Sequence, residues 1–133
     1  MKNEKFYNEV FKGLEDHNFT GYSLIHATML NKDLIPVFME FLSLMDPEKA
    51  KELNTKYPEM EKACKELAED SYKNIPYFES EESSYFLNEV LFDVLDSYSP
   101  EGFYFGANEG DLSDFGYWLT EEMYEVYYNN NWL

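Results

Sequence analysis

Apolar side chains recur at helical spacing through most of this chain. Phe6, Val10, Phe11 and Leu14 form a first such stripe, with Asn3 placed to cap its start and Asp16-His17-Asn18 ending it. After Thr20-Gly21, the stretch Tyr22 to Leu30 is compatible with a short helix. Asp33 is then placed to cap a more apolar helix containing Leu34, Ile35, Val37, Phe38, Phe41, Leu42 and Met45, with Pro36 expected in its first turn. Asp46-Pro47-Glu48 combines an N-cap, a first-turn proline and an acid at the positive end of the helix dipole. Pro58 divides the next stretch into helices over about 47–55 and 58–71, the second with Thr55 as its expected cap.

Residues 71–84 contain Pro76 and the run Glu79-Ser80-Glu81-Glu82, which reads as a loop. From about 82 to 98, Phe86, Val90, Leu91, Val94, Leu95 and Tyr98 line one side, while Glu89, Asp93 and Asp96 lie off it. Ser99-Pro100-Glu101-Gly102 stops this helix and the period changes. Phe103-Tyr104-Phe105 and Phe115 to Leu119 are aromatic runs bounded by glycine, as in two strands of a hairpin. Gly106 to Asp114 between them is longer than a two-residue turn and predicts an extended loop. Thr120 with Glu121 and Glu122 opens a last helix over Met123 to Tyr128. The pattern predicts a single α+β domain, mainly helical over about 1–98, with a C-terminal antiparallel β-hairpin and short terminal helix over about 99–133.

Composition adds to this picture. A chain of 133 residues with 44% hydrophobic and 19% aromatic residues can fill one core, so its formal charge of −17 does not imply disorder. No run of 18 apolar residues occurs and the N-terminus lacks a signal-peptide core, which predicts a soluble, cytoplasmic protein. The single Cys64 can form no internal disulfide and has no second thiol for a zinc site, so it reads as a small residue on a helix.

The charge is unevenly distributed. Residues 1–73 hold 14 acids and 10 Lys, whereas residues 74–133 hold 13 acids and no base. Glu52 with Lys56, Glu61 with Lys65 and Lys62 with Glu66 have the spacing of helical ion pairs, each worth about 0.2–0.5 kcal/mol. The second part has no such compensation. It disfavours nucleic acid or an anionic membrane as a direct partner and favours a basic protein surface or a cation.

Candidate chemistry is sparse. His17 and His26 stand outside any H-x-x-x-H or H-E-x-x-H spacing, and there is no G-x-S-x-G elbow, so no catalytic motif supports an enzyme. Gly106 to Gly110 lacks phosphate-loop spacing, and the acids Glu109, Asp111 and Asp114 would repel a phosphate there. No cofactor is expected.

The 108–114 segment does carry oxygen ligands suited to Ca²⁺. Counted from Asp111, it places Gly116 and Glu122 where an EF-hand needs them but Phe115 where an oxygen is required, so turn chemistry explains the same residues. The 12 tyrosines combine a rigid apolar ring with a polar tip, a composition found both in protein-binding surfaces and in aromatic cores. Tyr128 and Trp132, near the chain end, are expected to be exposed.

Thirteen charges match roughly 22 Å of duplex DNA, at one charge per about 1.7 Å of axis. A compact unit of about 60 residues has a diameter of roughly 27 Å. The comparable densities predict a small acidic binding protein, a nucleic-acid mimic of the anti-defence inhibitor type found in phages and mobile elements. It would occupy a basic surface on a nucleic-acid-handling protein through Glu79, Glu81, Glu82, Glu89, Asp93, Asp96, Glu109, Asp111 and Asp114. The alternatives are a Ca²⁺-responsive module built on the 108–114 loop and a solvated acidic interaction domain without mimicry.

Overall fold

Capping residues set several of the helix starts in the computed structural model, which describes residues 2–132. Helix α1 spans Glu4–Glu15, and the Asn3 side chain accepts from the Phe6 amide at 3.2 Å. Strand β1 is Gly21–Ile25, and α2 is Asn31–Met45. Helix α3, Pro47–Lys56, is capped by Asp46, which accepts from the Lys49 amide at 3.2 Å. Helix α4 is Pro58–Glu69, and a 3₁₀ turn covers Pro76–Glu79. Helix α5 runs over residues 81–96 as Glu81–Tyr85, a π-helical turn Phe86–Leu91, and Phe92–Asp96. Strands β2, Phe103–Asn108, and β3, Asp111–Leu119, precede α6, Glu121–Asn129, whose cap Thr120 accepts from the Met123 amide at 3.2 Å.

The strands form one antiparallel sheet in the order β1-β3-β2, with Ser23 opposite Gly116 and Gly106 opposite Gly116 on the other side. The fold is therefore α+β with a C-terminal β2-β3 hairpin. One continuous hydrophobic cluster takes residues from α1 to α5 and from the sheet. At its centre the Phe38 ring lies 5.2 Å from Phe105, Phe11 lies 4.7 Å from Tyr117, and Phe92 lies 5.5 Å from Phe105. These edge-to-face contacts add to the burial of each ring. The buried Tyr117 hydroxyl donates to the Leu95 carbonyl at 2.7 Å, satisfying the polar atom this core takes in. Among the described residues, no helix is long and apolar enough to cross a membrane.

Several elements differ from the sequence reading. The Tyr22 to Leu30 segment is not a helix; its first part is β1, hydrogen-bonded to the open edge of β3. A lone two-stranded hairpin is marginal in water, and the third strand widens its buried face. Gly116 permits the pairing, because a Cβ there would overlap the Tyr22 carbonyl oxygen and sit 2.8 Å from the Ser23 Cα. Helix α2 begins at Asn31, so Asp33 is its third residue, where its carboxylate accepts from the Thr28 hydroxyl at 2.6 Å. Pro36 falls past the first turn and removes a ladder bond to the Lys32 carbonyl. Burial of Leu34, Ile35 and Phe38 around it holds the helix together.

Thr55 does not cap α4. Tyr57 occupies the cap position without a side-chain bond, and Pro58 presets the first turn. The expected 71–84 loop contains the 3₁₀ turn, which buries Phe78, and α5 starts at Glu81 with Ser80 accepting from the Ser83 amide at 3.1 Å. The π turn in α5 is not legible from periodicity; Phe86, Leu87 and Leu91 within it are all buried. The hairpin has no extended loop. Asn108 pairs with Asp111, leaving Glu109-Gly110 as a two-residue turn, and the Asn108 side chain accepts from the Gly110 amide at 2.8 Å. Polar residues continue both strands past the edge of the core, which makes them resemble a loop.

Candidate interaction surface

The nine carboxylates expected to meet a partner fall on three parts of the fold. Glu79 ends the 3₁₀ turn, and Glu81 and Glu82 open α5. Glu89, Asp93 and Asp96 lie further along α5, while Glu109, Asp111 and Asp114 belong to the hairpin. Asp114 is half-buried and the other eight are exposed.

Three of the nine serve the fold. Asp96 accepts from the Phe105 amide at 2.9 Å and the Ser99 hydroxyl at 3.3 Å, tying the end of α5 to β2. Asp114 accepts from the Ser23 hydroxyl across the β1-β3 ladder. Asp111 accepts from the Ser113 hydroxyl at 2.8 Å and amide at 3.1 Å, bonds that hold its carboxyl below the usual carboxylate range. The remaining six, Glu79, Glu81, Glu82, Glu89, Asp93 and Glu109, take part in no hydrogen bond or ion pair within the described residues.

Among the described residues, every side-chain ion pair lies before residue 74. Of the three pairs expected from spacing, Glu61 with Lys65 forms, at 3.8 Å. Glu52 instead meets Lys49 at 2.9 Å, and Glu66 meets Lys73 at 3.3 Å. Apart from the half-buried Asp114, the acids after Lys73 are exposed.

The 108–114 residues are spread over two strands and a turn. Asp111 and Ser113 share one face of β3, Asp114 points to the other, and Phe115 and Gly116 are buried in the strand. Glu122, the closing residue of the partial EF-hand match, lies in α6. No group of three His, Cys, Asp or Glu residues suited to a metal is found among the described residues.

Among the described residues, neither histidine forms a hydrogen bond or ion pair with a carboxylate, although His26 lies close enough to Asp111 to act on it electrostatically. The His17 Nδ1 lies 2.8 Å from the Tyr127 hydroxyl, and its ring stacks on Trp132 at 3.9 Å and 8°. The same Tyr127 hydroxyl lies 3.2 Å from the Leu14 carbonyl oxygen, so it bridges the histidine and the end of α1. The residue takes a left-handed φ of 64°, and the cluster fastens the chain end to the end of α1. His26 is exposed and its ring makes no hydrogen bond among the described residues. Cys64 is half-buried with its Sγ 3.9 Å from the Met60 Sδ, and burial pushes its thiol up to about 11. Tyr128 and Trp132 are exposed as expected.

Two aromatic hollows have no signal in the sequence. On the outer face of the sheet, Trp118 lies flat over Gly21 and donates from Nε1 to the Gly106 carbonyl at 2.9 Å. Tyr104 lies beside Gly106 and donates to the Ala107 carbonyl at 3.0 Å. These rings, with Leu119, Tyr124 and the free carboxylate Glu109, border a hollow of about 390 Å³. The second, about 470 Å³, lies between the starts of α4 and α5 and is bordered by Tyr57, Tyr77, Tyr85, Glu81 and Glu82. Each hollow gathers residues from three or more elements, so only the tertiary fold assembles it.

No family model, curated protein or solved structure matches this chain. What fold and surface together define is an α+β protein whose uncompensated carboxylates are concentrated after residue 73, beside two aromatic hollows.

Proposed function

We propose that this chain is a small acidic binding protein that occupies a basic surface on a nucleic-acid-handling protein in place of the nucleic acid. The observation that carries this reading is the set of six carboxylates without internal partners, in a part of the chain that contains no base. Solubility alone does not require that lysine be absent, since a small domain is kept soluble by a net charge of about 2–8 with both signs interspersed. A run of unpaired negative charge attracts a cationic cleft over about a Debye length, roughly 8 Å at physiological salt, and accelerates encounter. The outer-face hollow supplies apolar contact beside Glu109, because aromatic anchors contribute most of the energy in protein interfaces.

The test is affinity capture from a host lysate at low salt, followed by elution with duplex DNA. The reading predicts a basic partner released both by DNA and by about 0.5 M salt, where the Debye length falls to a few ångströms. It also predicts that a variant with the six free carboxylates changed to amides folds but captures nothing. Failure to recover a basic partner, or a partner that DNA does not displace, would overturn it.

A further inference from the structure

The cleft between α4 and α5 has features of a small-molecule site that the acidic surface does not explain. Its rings are held from behind: Tyr57 packs edge-on against the buried Phe86 at 5.0 Å, and Tyr77 against Phe78 at 5.5 Å. Pro58 and Met60 complete an apolar floor. None of the Tyr57, Tyr77 and Tyr85 hydroxyls makes a hydrogen bond within the described residues. Tyr98, Tyr104, Tyr117 and Tyr127 each donate to an atom of the chain, whereas the cleft hydroxyls, like those of the remaining tyrosines, have no partner among the described residues. The three cleft hydroxyls are thus left to solvent or a ligand.

The charge balance selects the ligand's sign. Glu59, Glu81 and Glu82 bring −3 and Lys56 brings +1. The starts of α4 and α5 each add roughly +0.5 from the helix dipole, leaving about −1. The Lys56 ammonium lies 5.6 Å from the Tyr57 ring centroid, within cation–π range, so a positive charge is already tolerated at the rim of this cleft. Burial, with smaller contributions from the neighbouring Cys64 and Glu82, pushes the Tyr77 hydroxyl up to about 12, which keeps it protonated as a hydrogen-bond donor.

Size decides between a lone side chain and a molecule. A cavity of about 470 Å³ exceeds what one lysine side chain fills and falls within the roughly 300–1,000 Å³ of small-molecule sites. The geometry points to a binding site for a small organic ammonium ion with an apolar body, the cation against the tyrosine faces and Glu81 and Glu82, the body on Pro58 and Met60. The site shares Glu81 and Glu82 with the acidic surface, but its binding of an organic ammonium ion does not require the mimicry reading to hold.

The probes are benzyltrimethylammonium, benzyl alcohol and benzoate, titrated into the intact protein and followed by amide chemical shifts. Saturable binding of the ammonium with shifts around Tyr77 and Tyr85 is expected, at least about fivefold tighter than benzyl alcohol, with benzoate weakest. Glu82→Gln and the exposed Tyr85→Ala should each weaken the ammonium about threefold or more, and Glu82→Gln should weaken benzyl alcohol less than it weakens the ammonium. Both positions are at the surface, and the unperturbed part of the amide spectrum reports that each variant is folded. Equal binding of ammonium and alcohol, absence of saturation, or tighter binding of N-acetyl-lysine methylamide than of benzyltrimethylammonium would overturn the proposal.

Discussion

Replacing Gly116 with alanine tests the feature of the fold least visible in sequence, the pairing of β1 with β3. The added Cβ would overlap the Tyr22 carbonyl and lie 2.8 Å from the Ser23 Cα, where ordinary contact begins at 3.4 Å. Both clashing groups are backbone of a paired strand and have no rotamer to change. Relief requires β1 to move by about half an ångström or more, with loss of ladder bonds, so the cost lies at the upper end of overpacking, about 3 kcal/mol. At about 2.1 cal/mol/K per residue the unfolding entropy of 133 residues is about 0.28 kcal/mol/K, and 3 kcal/mol corresponds to a fall in Tm of about 10 °C.

Gly106 is the internal control. It lies opposite Gly116 on the same sheet, but a Cβ there meets only the edge of the Tyr104 ring at 3.4 Å, so Gly106→Ala should stay within about 0.5 kcal/mol of the wild type. Urea unfolding followed by Trp118 fluorescence measures both, as a shift in midpoint at constant m. Equal stability of the two variants would refute the close approach and, with it, the third strand.

The same structure predicts three further outcomes. Tyr117→Phe removes the hydroxyl bond to the Leu95 carbonyl, which keeps the Tyr98 amide at 3.2 Å as a second donor, so thermal unfolding should show a loss of about 1 kcal/mol and not the larger cost of an orphaned carbonyl. With the Cys64 thiol pushed up to about 11, its thiolate fraction at pH 8 is about 200-fold below that of a free thiol near 8.5, and reaction with a disulfide reagent should slow accordingly in the native state. A raised folded pKa makes that contribution to stability complete below about pH 8.5 and lost as pH rises towards 11, so Cys64→Ala should flatten the decline in that window. Raising NaCl from about 0.05 to 0.5 M should increase Tm, because screening relieves repulsion among acids with no internal partners more than it weakens the few exposed ion pairs; a fall in Tm would show that those pairs dominate.

Legibility in the sequence tracks the range of the interactions. Asn3, Asp46 and Thr120 cap the helices they precede, since a cap is settled within three residues. β1 escapes a local reading because its pairing depends on residues some 91 positions away, as in the Ser23 to Asp114 bond, and five residues give no decisive period. The hairpin reads as too open because polarity suggests a loop, although strand residues beyond the core are polar as well. For the nine carboxylates, exposure is legible and employment is not: nothing local shows that Asp96 meets an amide of β2 or that Asp114 meets β1. The α4-α5 cleft lies at the far end of this scale, with Tyr57, Tyr77 and Tyr85 joined only by the packing of three elements.

Stability and charge are carried by different residues in the acidic part of the chain. The hairpin and α5 are held by buried rings, by the Tyr117 and Trp118 hydrogen bonds to carbonyls, and by Asp96 and Asp114 acting as acceptors. The six carboxylates without internal partners contribute no hydrogen bond or ion pair to that framework, and their mutual repulsion opposes it. Glu81 and Glu82 gain from the start of α5, but a first-turn acid is worth only about 0.3–1 kcal/mol and does not account for Glu89, Asp93 or Glu109. A surface that costs stability and is spared by the fold can change its charge without unfolding the protein. The absence of any base among residues 74–133 is therefore not a requirement of the fold, and capture with and without competing DNA is the measurement that assigns it a cause.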